Sequence, residues 1–495
     1  MSIASVAASQ TLIRDRALVN GLWVTAESGR TLDVRNPADG SLVGQVPSMG
    51  GDETRSAIAA AHHAFPGWRK RTAKDRADIL FKWYELVLAN SDELARILSS
   101  EQGKPLGEAK GEIAYSASFI RFYAEEARRV YGETIPAPRA DSRIIVLKQP
   151  IGVVACITPW NFPSAMITRK SAPALAAGCT VVLKPAEATP LSALAIADLA
   201  QRAGVPAGVL NIVTGEPVPI GAELCSNPLV RKLSFTGSTR VGKLLAAACT
   251  GTVKKLALEL GGNAPFIVFN DADLDLAVDG AILSKFRHTG QTCVTTNRFL
   301  VQSGIYEEFA RRFAERVRQL VVGSAMQPGV EIGPLINMAA VSKVREHVED
   351  ALARGAKVLV GGGPHELGGT FFQPTVLRDV DTSMRVSAEE TFGPLAALMS
   401  FRTEAEAIEI ANATPFGLAA YFYSKNVGRV FRVADQLESG MIGINSAFLS
   451  IEVAPFGGVK ESGLGREGSH HGIDEFLVLK YLNIGSIAES DDSEG

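Results

Sequence analysis

Apolar and polar positions follow two different rhythms along this chain. In the first 50 residues, short apolar runs are cut by turn formers such as Asn36-Pro37 and Asp39-Gly40, which predicts short strands and turns. Over residues 52–64 apolar positions recur at helical spacing, and Pro66-Gly67 is expected to break that helix. Thr72-Ala73-Lys74-Asp75 has the spacing of a capping box and opens a helix to about residue 90. A further amphipathic helix is expected over residues 108–130. From residue 144 the rhythm changes. Short apolar runs, several of them β-branched, at 152–157, 179–183, 209–213, 232–235 and 255–259 alternate with helical stretches at 164–177, 191–203, 218–226 and 238–249. That βαβ alternation implies a mostly parallel sheet covered by helices. After Gly261-Gly262 a second alternating block runs to about residue 455, and a last strand is expected over 476–482. No internal repeat of fixed period is visible.

Composition narrows the picture. The 495 residues suggest about three domains. Fifty basic and 53 acidic residues give a net charge of −3, without the basic excess that nucleic-acid binding needs. Residues 1–10 lack the positive charge that opens a signal peptide, and residues 489–494 read as an acidic solvated tail. Residues 149–168 carry no charge over the length of a bilayer span, but Pro150, Pro159, Asn161 and Pro163 argue for a buried strand and turn instead. No membrane association is expected. Five scattered cysteines argue against a disulfide framework and for a reducing, cytoplasmic setting.

Several familiar signatures fail. Gly463-Leu464-Gly465-Arg466-Glu467-Gly468 matches a dinucleotide fingerprint but follows a turn-rich segment, so a loop is expected there. The run from Gly237 to Lys243 resembles a P-loop, but Leu244 stands where a Mg²⁺-binding hydroxyl belongs. Its place between a strand and a helix still suits a phosphate contact. No histidine or cysteine spacing suggests a metal.

Other residues carry chemistry. Cys293, in Gly290-Gln291-Thr292-Cys293, sits in a polar, glycine-punctuated setting that is a poor place for a core residue. Glu259 ends an apolar strand before two glycines; it is either a buried structural acid or a base whose pKa burial raises. Asn161 lies between two prolines and is either a turn cap or an oxyanion donor. Together with Lys184-Pro185-Ala186-Glu187, Phe235-Thr236-Gly237-Ser238, Glu390-Thr391-Phe392-Gly393-Pro394 and Pro455-Phe456-Gly457-Gly458-Val459-Lys460, these segments resemble the aldehyde dehydrogenase superfamily in order and content over residues 150–460.

The resemblance implies a hydrolytic dehydrogenase. Cys293 would be the nucleophile, Asn161 the oxyanion donor and Glu259 the base that activates water. Trp160, Lys184, Glu187, Gly237, Ser238, Glu390 and Phe392 would hold the cofactor. Glu187 argues for NAD over NADP, because a carboxylate accepts from a free ribose hydroxyl and repels a phosphate; NADP use stays open through Lys184. Met166 to Lys170, Lys285-Phe286-Arg287 and residues 453–468 look like the succinate-semialdehyde branch. There Arg169 and Arg287 would clamp a distal carboxylate with help from Ser450. The alternatives for Arg169 and Arg287 are a pairing with a structural acid or a snorkelling side chain. Some members of the branch carry a second cysteine two residues after the nucleophile; Thr295 stands there, so no redox disulfide is expected at that site. Glutarate semialdehyde is a close competitor as substrate, since one methylene discriminates by only about 1–3 kcal/mol. A general aldehyde oxidiser and a catalytically silent protein on the same fold are the other readings.

The implied fold is α/β in three parts. A Rossmann-like cofactor domain takes residues 1–130 and 150–261, and an α/β catalytic domain takes 262–461. A small β oligomerisation module with the C-terminal tail takes 131–149 and 462–495, and a homodimer or homotetramer is implied. The branch resemblance further implies a place in 4-aminobutyrate degradation.

Overall fold

The computed structural model describes residues 11–487; the expectations for residues 1–10 and 489–494 lie outside them. Two large sheets carry the α/β architecture. The first has eight strands, in the order Leu22–Val24, Ala17–Val19, Leu210–Ile212, Thr180–Lys184, Val153–Ile157, Val230–Thr236, Lys255–Glu259, Gly463–Leu464. Its five central strands are parallel; the antiparallel pair Ala17–Val19 and Leu22–Val24 closes one side and Gly463–Leu464 the other. Numbered along the chain, the central five stand in the order 3-2-1-4-5. Such an order has a switch point between strands 1 and 4, where crossover helices leave a crevice at the carboxyl ends. The strand Thr180–Lys184 is buried throughout and Val153–Ile157 nearly so, as befits a sheet covered on both faces.

The second sheet has seven strands: Lys357–Val360, Thr375–Arg378, Leu395–Phe401, Thr296–Gln302, Ala264–Val268, Ala419–Tyr423 and Met441–Ile444. All its pairings are parallel except that of Lys357–Val360 with Thr375–Arg378. A third, antiparallel sheet joins Leu477–Ile484 to Arg143–Pro150 and Glu133–Ile135. Its outer strand leaves Leu479 and Tyr481 exposed.

Most expected helices form, and their ends are chemically legible. Thr72 Oγ1 accepts the Asp75 N–H at 3.1 Å while Asp75 accepts the Thr72 N–H at 3.3 Å, so the capping box opens the helix Ala73–Ala89. Two expectations are corrected. The helix Gly51–Lys70 runs through Pro66 instead of stopping there. Trp68, beyond the proline, is buried and donates its indole N–H to the Leu175 carbonyl at 3.2 Å, so tertiary packing holds the last turn against local propensity. The segment expected as a loop around residue 463 instead supplies the short strand Gly463–Leu464, which pairs with the end of Lys255–Glu259. The helix Ser91–Gln102 had no forecast; Gly103 at φ +90° ends it.

Candidate active site

The doubly wound order brings the carboxyl ends of four strands to one edge. Asn161 follows Val153–Ile157, Lys184 ends its strand, Gly237 and Ser238 follow Val230–Thr236, and Glu259 ends Lys255–Glu259. Asn161, Gly237, Ser238 and Glu259 line one cavity of about 510 Å³, with Trp160, Arg169, Arg287, Cys293, Glu390, Phe392 and Ser450. Lys184 and Glu187 lie outside that lining, on the neighbouring strand end.

Cys293 reaches the cavity through a strained approach. After the helix Leu274–Phe286 the chain passes through His288 (φ +55°), Thr289 (φ +57°) and Gly290 (φ +73°). Left-handed backbone at a non-glycine residue costs on the order of 1–2 kcal/mol. The Glu108 carboxylate accepts the His288 N–H at 2.8 Å, and the Thr289 hydroxyl donates to the Gly333 carbonyl at 3.1 Å. A Cβ at Gly290 would stand 2.2 Å from the Gly393 carbonyl oxygen, so only glycine fits there. Burial pushes the Cys293 thiol pKa up to about 12, against the pull of Arg169.

Glu259 is 4% exposed, and neither carboxylate oxygen has a hydrogen-bond partner among the described residues. Burial first, and then the neighbouring Glu467 carboxylate, hold its pKa well above the usual range. Gly457 leaves it room: a Cβ there would lie 3.0 Å from Glu259 Oε1. Asn161 is fixed from its amide. One side-chain N–H donates to the Gln291 carbonyl at 2.9 Å, two residues before Cys293. An amide carries two N–H bonds, so the other is free for a ligand.

The two arginines differ. Arg169 Nε lies 2.7 Å from Glu467 Oε2, at an angle that makes an ion pair but no hydrogen bond, and its guanidinium stacks 3.8 Å from the Phe456 ring centroid. Lys170 Nζ pairs with the other Glu467 oxygen and lies 3.2 Å from Ser234 Oγ. Arg287 lines the cavity and has no ion-pair partner among the described residues. So the alternative of a structural acid describes part of Arg169 and none of Arg287.

The residues resembling cofactor contacts suit a nicotinamide dinucleotide. A Cβ at Gly237 would stand 2.5 Å from the Phe235 ring, so glycine alone lets the main chain pass there. Ser238 caps the helix Thr239–Cys249, whose first N–H groups face the strand ends. Beside it, Thr236 Oγ1 is buried without a partner among the described residues. Glu390 accepts the Gly262 N–H at 3.1 Å, and burial lifts its pKa to about 7. The Trp160 and Phe392 rings meet edge to face at 5.5 Å. A phosphate-sized cradle, an unpartnered hydroxyl and a carboxylate beyond them fit such a cofactor.

A family model described as the aldehyde dehydrogenase family matches residues 23–482. The chain belongs to the aldehyde dehydrogenase family. Succinate-semialdehyde dehydrogenase [NADP(+)] of Escherichia coli (strain K12) is 60% identical over 96% of this chain and 98% of its own length. Glutarate-semialdehyde dehydrogenase of Pseudomonas aeruginosa is 59% identical over 96% of this chain and 99% of its own. The crystal structure of succinate-semialdehyde dehydrogenase from Burkholderia pseudomallei superposes with a TM-score of 0.96 at 60% identity, covering 97% of this chain and 99% of that one. This aldehyde dehydrogenase has the fold that its sequence motifs implied, and among the described residues no helix is long and apolar enough to cross a membrane.

Sequence reasoning missed several charged groups of the cavity wall: Lys104, Glu108, Glu112, Lys343 and Glu467. Glu467 had a signal, since it sits inside the rejected glycine pattern. Lys104 and Glu112 had none, because their neighbours come from other elements.

Proposed function

We propose that this aldehyde dehydrogenase oxidises succinate semialdehyde to succinate. The observation that carries the reading is Arg287, a cation without an ion-pair partner among the described residues, in the cavity wall and six residues before Cys293. Arg169 adds a second positive charge and Ser450 a hydroxyl to the same cavity. A guanidinium fork suits a distal carboxylate.

In this reading the thiolate form of Cys293 attacks the aldehyde carbon. The oxygen of the resulting thiohemiacetal is held by the Cys293 main-chain N–H and the free N–H of Asn161, each donor worth about 3 kcal/mol. Bound nicotinamide dinucleotide supplies the hydride acceptor. Glu259 then takes a proton from water, which attacks the thioester and releases the acid and the thiol. A carboxylate whose pKa burial raises is a stronger base than an ordinary one, which suits this task.

For the cofactor we infer use of both NAD and NADP. The expected NAD preference assumed a free Glu187 carboxylate. Lys184 Nζ instead pairs with it and donates to the Pro185 carbonyl at 3.0 Å, which offsets the repulsion of a 2′-phosphate. A relative named for NADP(+) at 60% identity points the same way. The exposed apolar residues of Leu477–Ile484 support assembly into a homodimer or homotetramer through that sheet. The five cysteines, all free, fit a cytoplasmic setting, where 4-aminobutyrate degradation would supply the substrate.

The test compares kcat/KM for succinate semialdehyde, glutarate semialdehyde and uncharged butanal with either cofactor. A large advantage of the acids over butanal supports the carboxylate reading, and equal values remove it. A glutarate-semialdehyde advantage would favour the second substrate, which the Pseudomonas aeruginosa relative supports.

A further inference from the structure

One buried ion pair beside the cavity takes no part in the chemistry above. Lys104 stands in the turn Gly103-Lys104-Pro105, between the helices Ser91–Gln102 and Leu106–Glu126. Its Nζ donates to the Glu112 carboxylate and, at 3.0 Å, to the main-chain carbonyl of Asn161; it also lies 4.1 Å from the Phe162 ring centroid. Both side chains of the pair are 1% exposed. The other Glu112 oxygen accepts the N–H groups of Ser164 at 2.9 Å and Ala165 at 3.1 Å. Those groups open the helix Ala165–Ala177, whose own cap residue Ser164 offers no side-chain bond.

The turn that holds Lys104 is itself fixed. Gln102 Oε1 accepts the Lys104 N–H at 2.9 Å, and the Gln102 amide nitrogen lies 3.1 Å from His288 Nε2, at the start of the strained approach to Cys293. The pair thus grips the segment 159–165 at two points, the Asn161 main chain and the first turn of the following helix. The Asn161 side chain reaches across to Gln291 on the nucleophile's own loop. A buried ion pair is a poor source of stability, since apolar residues of the same volume often do as well. Its bonds here are spent on the backbone of a single turn.

We propose that Lys104 and Glu112 are positioning residues for Asn161: they fix its main chain so that one amide N–H stays on the Gln291 carbonyl and the other faces the carbonyl oxygen of the aldehyde attacked by Cys293. The proposal rests on the oxyanion role given to Asn161 above.

The mechanism makes a sharp demand. Residues that act only through the Asn161 amide have nothing left to do once that amide is gone. The experiment measures the pre-steady-state burst of NADH in the full-length enzyme with succinate semialdehyde and saturating NAD. Asn161→Ala is expected to slow the burst by about 100-fold or more. Lys104→Met is expected to slow it by about 10-fold, with the KM for aldehyde and for NAD changed by less than about 2-fold. In Asn161→Ala/Lys104→Met the burst should be no slower than in Asn161→Ala. Multiplied losses in the double variant would overturn the proposal and make the pair a general structural element. An undiminished burst in Lys104→Met would overturn it too. An undiminished burst in Asn161→Ala would remove the oxyanion reading itself, and the positioning role with it. Should Lys104→Met fail to fold, Lys104→Met/Glu112→Gln leaves no lone buried charge and carries the same comparison, its folding checked by the melting temperature.

Discussion

Along the strand ends of the larger sheet, the groups that face the cavity are left without partners. Among the described residues, both Glu259 oxygens and the Thr236 hydroxyl are buried and unbonded. Along the helices that close the cavity from the other side, charge is matched to charge: Lys104 to Glu112, and Arg169 and Lys170 to Glu467. An unpaired buried polar group costs about 1–3 kcal/mol, and the strand-end wall carries that cost repeatedly. The helical wall has unbonded atoms too, at the Tyr115 hydroxyl, Arg169 and Glu467, but there each buried charge is offset by an opposite one. The contrast separates groups kept free to meet a ligand from groups that hold the frame. Arg287 belongs by this criterion with the first set, although it lies on neither sheet edge.

The largest effects should come from the unpaired wall. Cys293→Ala is expected to lower turnover by about 10,000-fold or more while leaving the melting temperature near that of the wild type. Glu259→Gln should lower steady-state turnover by about 100- to 10,000-fold, yet keep a burst of NADH, because the thioester forms and then waits for a base. Mass spectrometry of the quenched variant should find the acyl group on Cys293. A variant with neither burst nor acyl-enzyme would place Glu259 earlier in the reaction.

The two arginines put the contrast on one residue type. Arg287→Ala should cut kcat/KM for succinate semialdehyde roughly 10- to 100-fold, spare butanal, and leave the urea midpoint unchanged. Arg169→Ala should do both kinds of damage. It removes a cation from the cavity and also one of the two partners of Glu467, at a cost of about 1–3 kcal/mol, limited because Lys170 still pairs with that carboxylate. Equal stability losses in the two variants would erase the distinction between the walls.

How much of this was legible in the sequence follows the same division. The strands at 153–157 and 180–184 carry β-branched runs, those at 230–236 and 255–259 carry short apolar ones, and the residues just after them carry turn chemistry, so strand, turn and reactive group lie within a few positions of one another. Periodicity and motif then find both. The matched pairs are assembled from afar. Lys104 meets Glu112 eight positions on but Asn161 fifty-seven away, and Lys170 meets Glu467 across 297 positions. No local pattern marks such a residue. The break expected at Pro66 failed for the same reason: the decisive contact, Trp68 to Leu175, spans 107 positions. Glu187 shows the opposite error. Its neighbour Lys184 was in plain view, but sequence alone leaves open whether three positions bring the charges together.

The walls also meet electrostatically, because Glu467 stands near Glu259. Removing its charge with Glu467→Gln takes away the second cause of the raised Glu259 pKa and frees Arg169 and Lys170 to stabilise the Glu259 carboxylate. Both changes lower that pKa. The base is competent only when ionised, so the acid limb of the deacylation rate should move to lower pH. An unmoved limb would mean that burial alone tunes Glu259.

The smallest effect should come from the pair at the edge of the site. Glu187 is 41% exposed and already neutralised by Lys184, so most of its field is spent locally and screened by water. Glu187→Ala should raise kcat/KM for NADP relative to NAD by no more than about 5-fold, the scale of a surface charge. Lys184→Met should act in the opposite direction and more strongly, since it leaves Glu187 unopposed against a 2′-phosphate. The two ratios, measured from initial rates at one ionic strength, test whether the pair acts as a unit: Glu187→Ala/Lys184→Met would then fall between the single variants. A preference reversed by Glu187→Ala alone would mean that the carboxylate faces the ribose free of its lysine, and that even at the rim a group is kept unpaired for a ligand.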